Sequence, residues 1–215
     1  GRAGKGGQLM INKEAGNWYL ELSSLLGDRT NLFAGQQYHG YALTKAKDSI
    51  IVRPVIAWKG ENLKVALGAE GNVISDAIVT KDDVSVSDRM GYGLTTSWTQ
   101  DALVINANLA RMDAEAETDT TLGANLLWHN AGLGYIYAIN DISSANLNNP
   151  NADFGKMVGK HTINTVYASY KIPSVLDLDN FDIYLGAYWS QLNVDSAEVD
   201  NIDRYGGRVR FKYFF

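Results

Sequence analysis

DRYGGRVRFKYFF, running from Asp203 to Phe215, separates its side chains by chemistry when read with a period of two. Val209, Phe211, Tyr213 and Phe215 fall on one face, while Arg204, Gly206, Arg208, Arg210 and Lys212 fall on the other. The basic face would be an ordinary solvated surface in any sheet. The aromatic stripe opposite it needs a cause, and a transmembrane β-barrel supplies one: one face meets hydrocarbon and the other meets water. An edge strand of a soluble sheet is the competing reading of this segment alone.

Composition favours the barrel. A chain of 215 residues is long enough for one sizeable folded unit, so 1–215 reads as a single domain. Hydrophobic residues make up 46%, yet no run reaches the roughly 18–20 apolar residues of a membrane helix. Alternating strands hide their lipid face from such a window. The 21 glycines suit turns and close approaches, while 12 tyrosines and 5 tryptophans suit the boundary between lipid and water. Cysteine is absent, which removes disulfides and thiol chemistry. A formal charge of −5 gives no reason to expect nucleic acid as a partner. The opening GRAGKGG resembles neither a leader nor a strand, so removal of a leader before this numbering is expected.

Working back through the chain, alternation recurs. Strands are expected over Gln8–Lys13, Trp18–Leu26, Tyr38–Ala46, Ser49–Trp58, Leu63–Glu70, Met90–Thr99, Leu103–Ala110, Leu122–His129, Leu133–Asn140, Thr162–Ile172 and Phe181–Ser190, before the final segment. Pro54 counts against a central ladder position, because it has no amide hydrogen to donate. From residue 59 onward the connections at 59–62, 100–101, 130–132 and 173–180 are short, whereas those at 71–89, 111–120, 143–159 and 193–203 are long. Short turns at one rim and long loops at the other are the pattern of an antiparallel up-and-down barrel. Twelve strands are expected, with both termini at the short-turn rim and the last strand bonded to the first; ten is the main alternative.

With this rhythm and the ending RVRFKYFF in place, the chain resembles the Gram-negative outer-membrane β-barrel proteins, most closely the small monomeric porins. The ending is similar to the signal by which barrel-assembly machinery recognises a last strand. The resemblance implies an outer-membrane location among lipid and lipopolysaccharide, long loops outside, and turns and termini in the periplasm. It also implies passive passage of ions or small polar solutes, without a cofactor.

Charged residues are costly toward lipid and acceptable toward water, so the lumen is where they belong. Arg204, Arg208, Arg210 and Lys212 form a basic ladder spaced about 6–7 Å per two residues. Arg53, Lys64 and Lys171 extend it, and Glu21, Glu70 and Asp182 are positioned to balance it. Opposed charges of this kind set up a transverse field across an aqueous constriction. The alternatives are a barrel whose charges knit the lumen shut, and an adhesion or receptor barrel that works through the 71–89 and Asn-rich 143–159 loops. An enzyme is not expected: the histidines are His39, His129 and His161, and no G-x-S-x-G, H-E-x-x-H or P-loop is present. Asp82 with Asp83, or Glu115 with Glu117, lack the ordered ligand spacing of a calcium loop and read as solvated loop acids, so no metal is expected.

Overall fold

The computed structural model describes residues 7–26, 37–38, 41–45, 49–77, 79–80, 89–114, 117–143, 158–195 and 200–213. Its strands are β1 (Gly7–Ala15), β2 (Trp18–Leu26), β3 (Gln37–Tyr38), β4 (Tyr41–Lys45), β5 (Ile50–Lys59), β6 (Leu63–Asn72), β7 (Val79–Thr80), β8 (Met90–Gln100), β9 (Leu103–Ala114), β10 (Glu117–Trp128), β11 (Ala131–Ile142), β12 (Gly159–Ile172), β13 (Phe181–Val194) and β14 (Ile202–Tyr213). Eleven of them form one antiparallel sheet in the order β1-β2-β5-β6-β8-β9-β10-β11-β12-β13-β14. The other three, β3, β4 and β7, make a small separate sheet. Among the described residues no α-helix occurs, and no helix is long and apolar enough to cross a membrane.

Cross-strand register puts like with like. One row of partners runs Leu20, Ile56, Leu67, Leu94, Leu109, Leu122 and Tyr137 across β2 to β11. Leu20, Leu67 and Leu122 remain 46%, 51% and 48% exposed, so the apolar face covers no protein core. The most withdrawn strand residues other than glycine, Ser23, Leu25, Ile51, Glu117, Ile142, His161, Asp182 and Val194, all lie on the opposite face. That face is also knitted by polar pairs, among them Asn106 Nδ2 donating to Asn125 Oδ1 at 2.9 Å and Thr165 with Ser190 at 2.8 Å. A sheet whose oily side stays exposed and whose most withdrawn side chains lie on the polar side is inverted relative to a soluble sandwich, and matches a wall facing hydrocarbon. Trp18, Trp58, Trp98, Trp128, Phe181 and Tyr213 gather on the apolar face near the short turns, as an interfacial aromatic girdle does.

The strands are staggered. The hydrogen-bonded row that begins at Trp18, the first residue of β2 after a two-residue turn, passes through Trp58, Val65, Thr96, Ala107, Ala124, Tyr135, Val166 and Trp189. It ends at Tyr205, near the opposite end of β14. This drift is the shear that accompanies tilted strands in a barrel wall. Its chemical trace is visible in the leucine row, which continues past Tyr137 into Asn164, Gln191 and Asp203 as the tilt carries it toward the other rim.

Turn chemistry accounts for the short rim. Gly16, Asp101 and His129 each open a two-residue hairpin turn with φ of 57°, 51° and 49°. Glycine adopts this left-handed conformation freely, and Asp and His are among the residues enriched there. His129 is therefore a turn residue, as expected of a rim position.

Several expectations differ from the structure. Among the described residues the main sheet has eleven strands, and the described parts of the expected strand Tyr38–Ala46 form the short β3 and β4 of the separate sheet. With eleven strands among the described residues, β1 and β14 point the same way, and the expected bonding of last strand to first is not seen there. Among the described residues no ladder joins them, and the start of β1 and the end of β14 lie at opposite rims rather than together. Finally, the supposed loop 111–120 is mostly strand: β9 and β10 remain paired out to Ala114 and Glu117. Pro54 does occupy a central strand, and the β5–β6 register is interrupted between Val52 and Val55, where an amide donor is missing.

Candidate functional site

The polar face of β12 to β14 carries the basic ladder. Arg204, Arg208, Arg210 and Lys212 all project on this face, opposite Ser190, Gly186, Tyr184 and Asp182 of β13. Arg204, Arg208 and Arg210 are exposed, and among the described residues none forms an ion pair with a carboxylate. The acid expected to balance them is engaged elsewhere. Asp182 binds Lys171 Nζ at 2.8 Å and accepts a hydrogen bond from Tyr184 Oη at 3.3 Å. Lys171 and Lys212 in turn place their ammonium groups 5.8 Å and 6.0 Å from the centre of the Tyr184 ring, within cation–π range. At its short-turn end the ladder thus lies beside the Lys171–Asp182–Tyr184 cluster, while Arg204, Arg208 and Arg210 have no carboxylate partner among the described residues.

The remaining expected residues share the same face, and most of them form local pairs. Arg53 Nε bonds to Glu70 Oε2, at the point where the β5–β6 ladder opens around Pro54. Glu21 accepts a hydrogen bond from the Tyr19 hydroxyl two residues before it. Lys64 is exposed near the short turn, opposite Lys59, whose ammonium lies 3.3 Å from Glu14 and 5.5 Å from the Tyr19 ring centre. Arg53, Glu70 and Glu21 thus find partners along the wall, whereas Lys64 stands exposed beside another lysine.

Two features escaped the sequence reading. The first is a polar cluster near the long-loop rim: Arg89 Nη2 lies 3.2 Å from Glu117 Oε2, and Asn140 Nδ2 donates to Glu117 Oε1 at 3.0 Å and also to Asp119. It borders a recess of about 580 Å³ lined by Arg53, Glu70, Arg89, Met112, Asp119 and Thr121. Glu117 and Asp119 fall within the expected 111–120 loop, yet alternation continuing through Thr118, Thr120 and Leu122 marks them as part of a strand. The second is a pair of tyrosines on the polar face, Tyr167 and Tyr188, which are direct cross-strand partners. Each covers a glycine, Gly134 and Gly206 respectively; a Cβ on Gly206 would meet the Tyr188 ring at 2.6 Å. His161 is buried in the same wall, cross-strand from Asn140. His39, Asp82, Asp83, Glu115 and most of 143–159 lie outside the described residues.

Comparison with known proteins agrees with this wall. An outer membrane protein of Vibrio cholerae, OmpT lacking loop L8, superposes with a TM-score of 0.57 at 13% identity, covering 96% of this chain and 62% of that one. In-vitro folded OmpT of the same organism gives 0.50 at 15%, covering 96% and 64%. The likeness is one of fold, and the chain spans a little under two thirds of the length of these proteins. No curated protein sequence matches it. The family model described as porin-like glycoporin RafY matches residues 1–215. An inverted antiparallel sheet with an aromatic girdle, matched over its whole length by that model, is the wall of an outer-membrane porin-type barrel, and the chain belongs to the porin-like glycoporin RafY family.

Proposed function

We propose that the protein is a passive outer-membrane channel that admits ions and small polar solutes along its polar face. The observation that carries this reading is the set Arg204, Arg208 and Arg210, exposed on the polar face with no carboxylate partner among the described residues while Arg53–Glu70 and Lys171–Asp182 are paired. Cations of this kind are stable when bathed in water, and in a pore they attract anions. The end of β14 lies at the short-turn rim, which this reading places in the periplasm, with the long connections outside. Family membership supports the channel over an adhesion barrel.

Planar-bilayer recording tests it. Protein folded into lipid should give discrete conductance steps, and a folded protein that gives none defeats the reading. Replacing Arg208 and Arg210 together with glutamine should lower the anion-to-cation permeability ratio about three- to tenfold. Two charges near an ion's path each contribute on the order of 1 kcal/mol at water-like dielectric and close range, less after screening. An unchanged reversal potential in a salt gradient would make these arginines structural.

A further inference from the structure

We infer that the Tyr167–Tyr188 platform and the arginines beside it form a binding site for acidic saccharides, chains of pyranose rings bearing carboxylates. The inference rests on the channel reading above and names the class of solute that the polar face would favour. Tyr167 and Tyr188 are adjacent on β12 and β13, and each ring lies over a glycine that leaves its partner strand without a side chain there. A ring held against backbone on one side is pinned in orientation, and its other side is available to stack. Tyr188 is 46% exposed, so its outer side is open. The carbon-bound hydrogens on the flat side of a pyranose carry partial positive charge, which complements the negative face of an aromatic ring.

The arginines supply the second half of the recognition. Tyr188 stands directly opposite Gly206, which puts Arg204 and Arg208 at its two diagonal positions on β14, about 7–8 Å away. Arg208 is itself opposite Gly186, so no side chain on β13 crowds it. Neither arginine has a carboxylate partner among the described residues, and a guanidinium fork binds a carboxylate through two parallel hydrogen bonds. Tyr184 is excluded from the platform because Lys171 and Lys212 already hold cations against its ring. Flat rings flanked by exposed arginines select a solute that has both a stackable ring and a carboxylate. A neutral sugar meets only the tyrosines, and a small ringless polyanion meets only the arginines.

Calorimetric titration of the whole chain, folded in detergent micelles at low ionic strength, tests the site with three probes: trigalacturonate, maltotriose and the ringless tricarboxylate tricarballylate. Trigalacturonate should bind at least about tenfold more tightly than either of the others. Arg208→Gln should weaken trigalacturonate binding about tenfold while leaving maltotriose unchanged. Tyr188→Ala should weaken it comparably, and Tyr188→Phe, which keeps the ring over Gly206, should restore it. Equal affinity for trigalacturonate and maltotriose, or for trigalacturonate and tricarballylate, overturns the site, as does full affinity in the Tyr188→Ala protein. Selective binding by a protein that gives no conductance steps would retain the site and defeat the channel; conductance without selective binding would do the reverse.

Discussion

Replacing Glu117 with alanine is expected to destabilise the folded wall by about 3–5 kcal/mol, the usual cost of removing one partner from a buried ion pair. The Glu117 and Arg89 side chains are only 4% and 12% exposed, so little water is available to take over the lost contact. Removal of the carboxylate takes a charge from Arg89 and a hydrogen-bond acceptor from Asn140 in one step. Glu117→Gln keeps an acceptor for Asn140 and should cost less. The double replacement Glu117→Ala with Arg89→Ala should be less damaging than the sum of the two single changes, because no charge is left behind. Urea unfolding of the chain from lipid vesicles, followed by tryptophan fluorescence, measures each difference. A loss below about 1 kcal/mol for Glu117→Ala would show that the pair is solvated in the folded protein.

Leu122→Arg is expected to cost about 2–4 kcal/mol in the same assay, while Thr121→Arg, one residue away, should cost far less. Leu122 sits near the middle of β10 in the leucine row, and Thr121 faces the opposite way between Ala110 and Ala138. In water the exposed Leu122 would accept arginine at almost no cost, as most surface positions do. In hydrocarbon the guanidinium must be desolvated or drawn toward the interface. The sign of the difference between the two neighbours therefore identifies the solvent on each side of the sheet. Equal costs at both positions would contradict a lipid-facing apolar side.

The two-faced pattern was legible because a strand's side chains alternate whatever the strand pairs with. Val166, Ala168 and Tyr170 on β12, and Val209 and Phe211 on β14, occupy the face their spacing indicated. Tyr38–Ala46 misled because its length and apolar content suit a wall strand, yet nothing local states which neighbour a strand will choose. Glu117 and Asp119 misled for the opposite reason: their acidity looked like a loop, while a polar wall stabilises acids through partners that come from other strands.

By itself, then, the sequence determined the class of fold, the facing of the wall strands and the basic side of Arg204, Arg208, Arg210 and Lys212, since each follows from residue type and a period of two. Register was left to the tertiary structure, and register decides which charges meet. It placed Asp182 with Lys171, Glu70 with Arg53 and Glu117 with Arg89, and it left three arginines of β14 without carboxylate partners among the described residues. Only long-range pairing can make that choice, because the partners lie 11, 17 and 28 residues apart in the chain and are brought together by hydrogen bonds between strands.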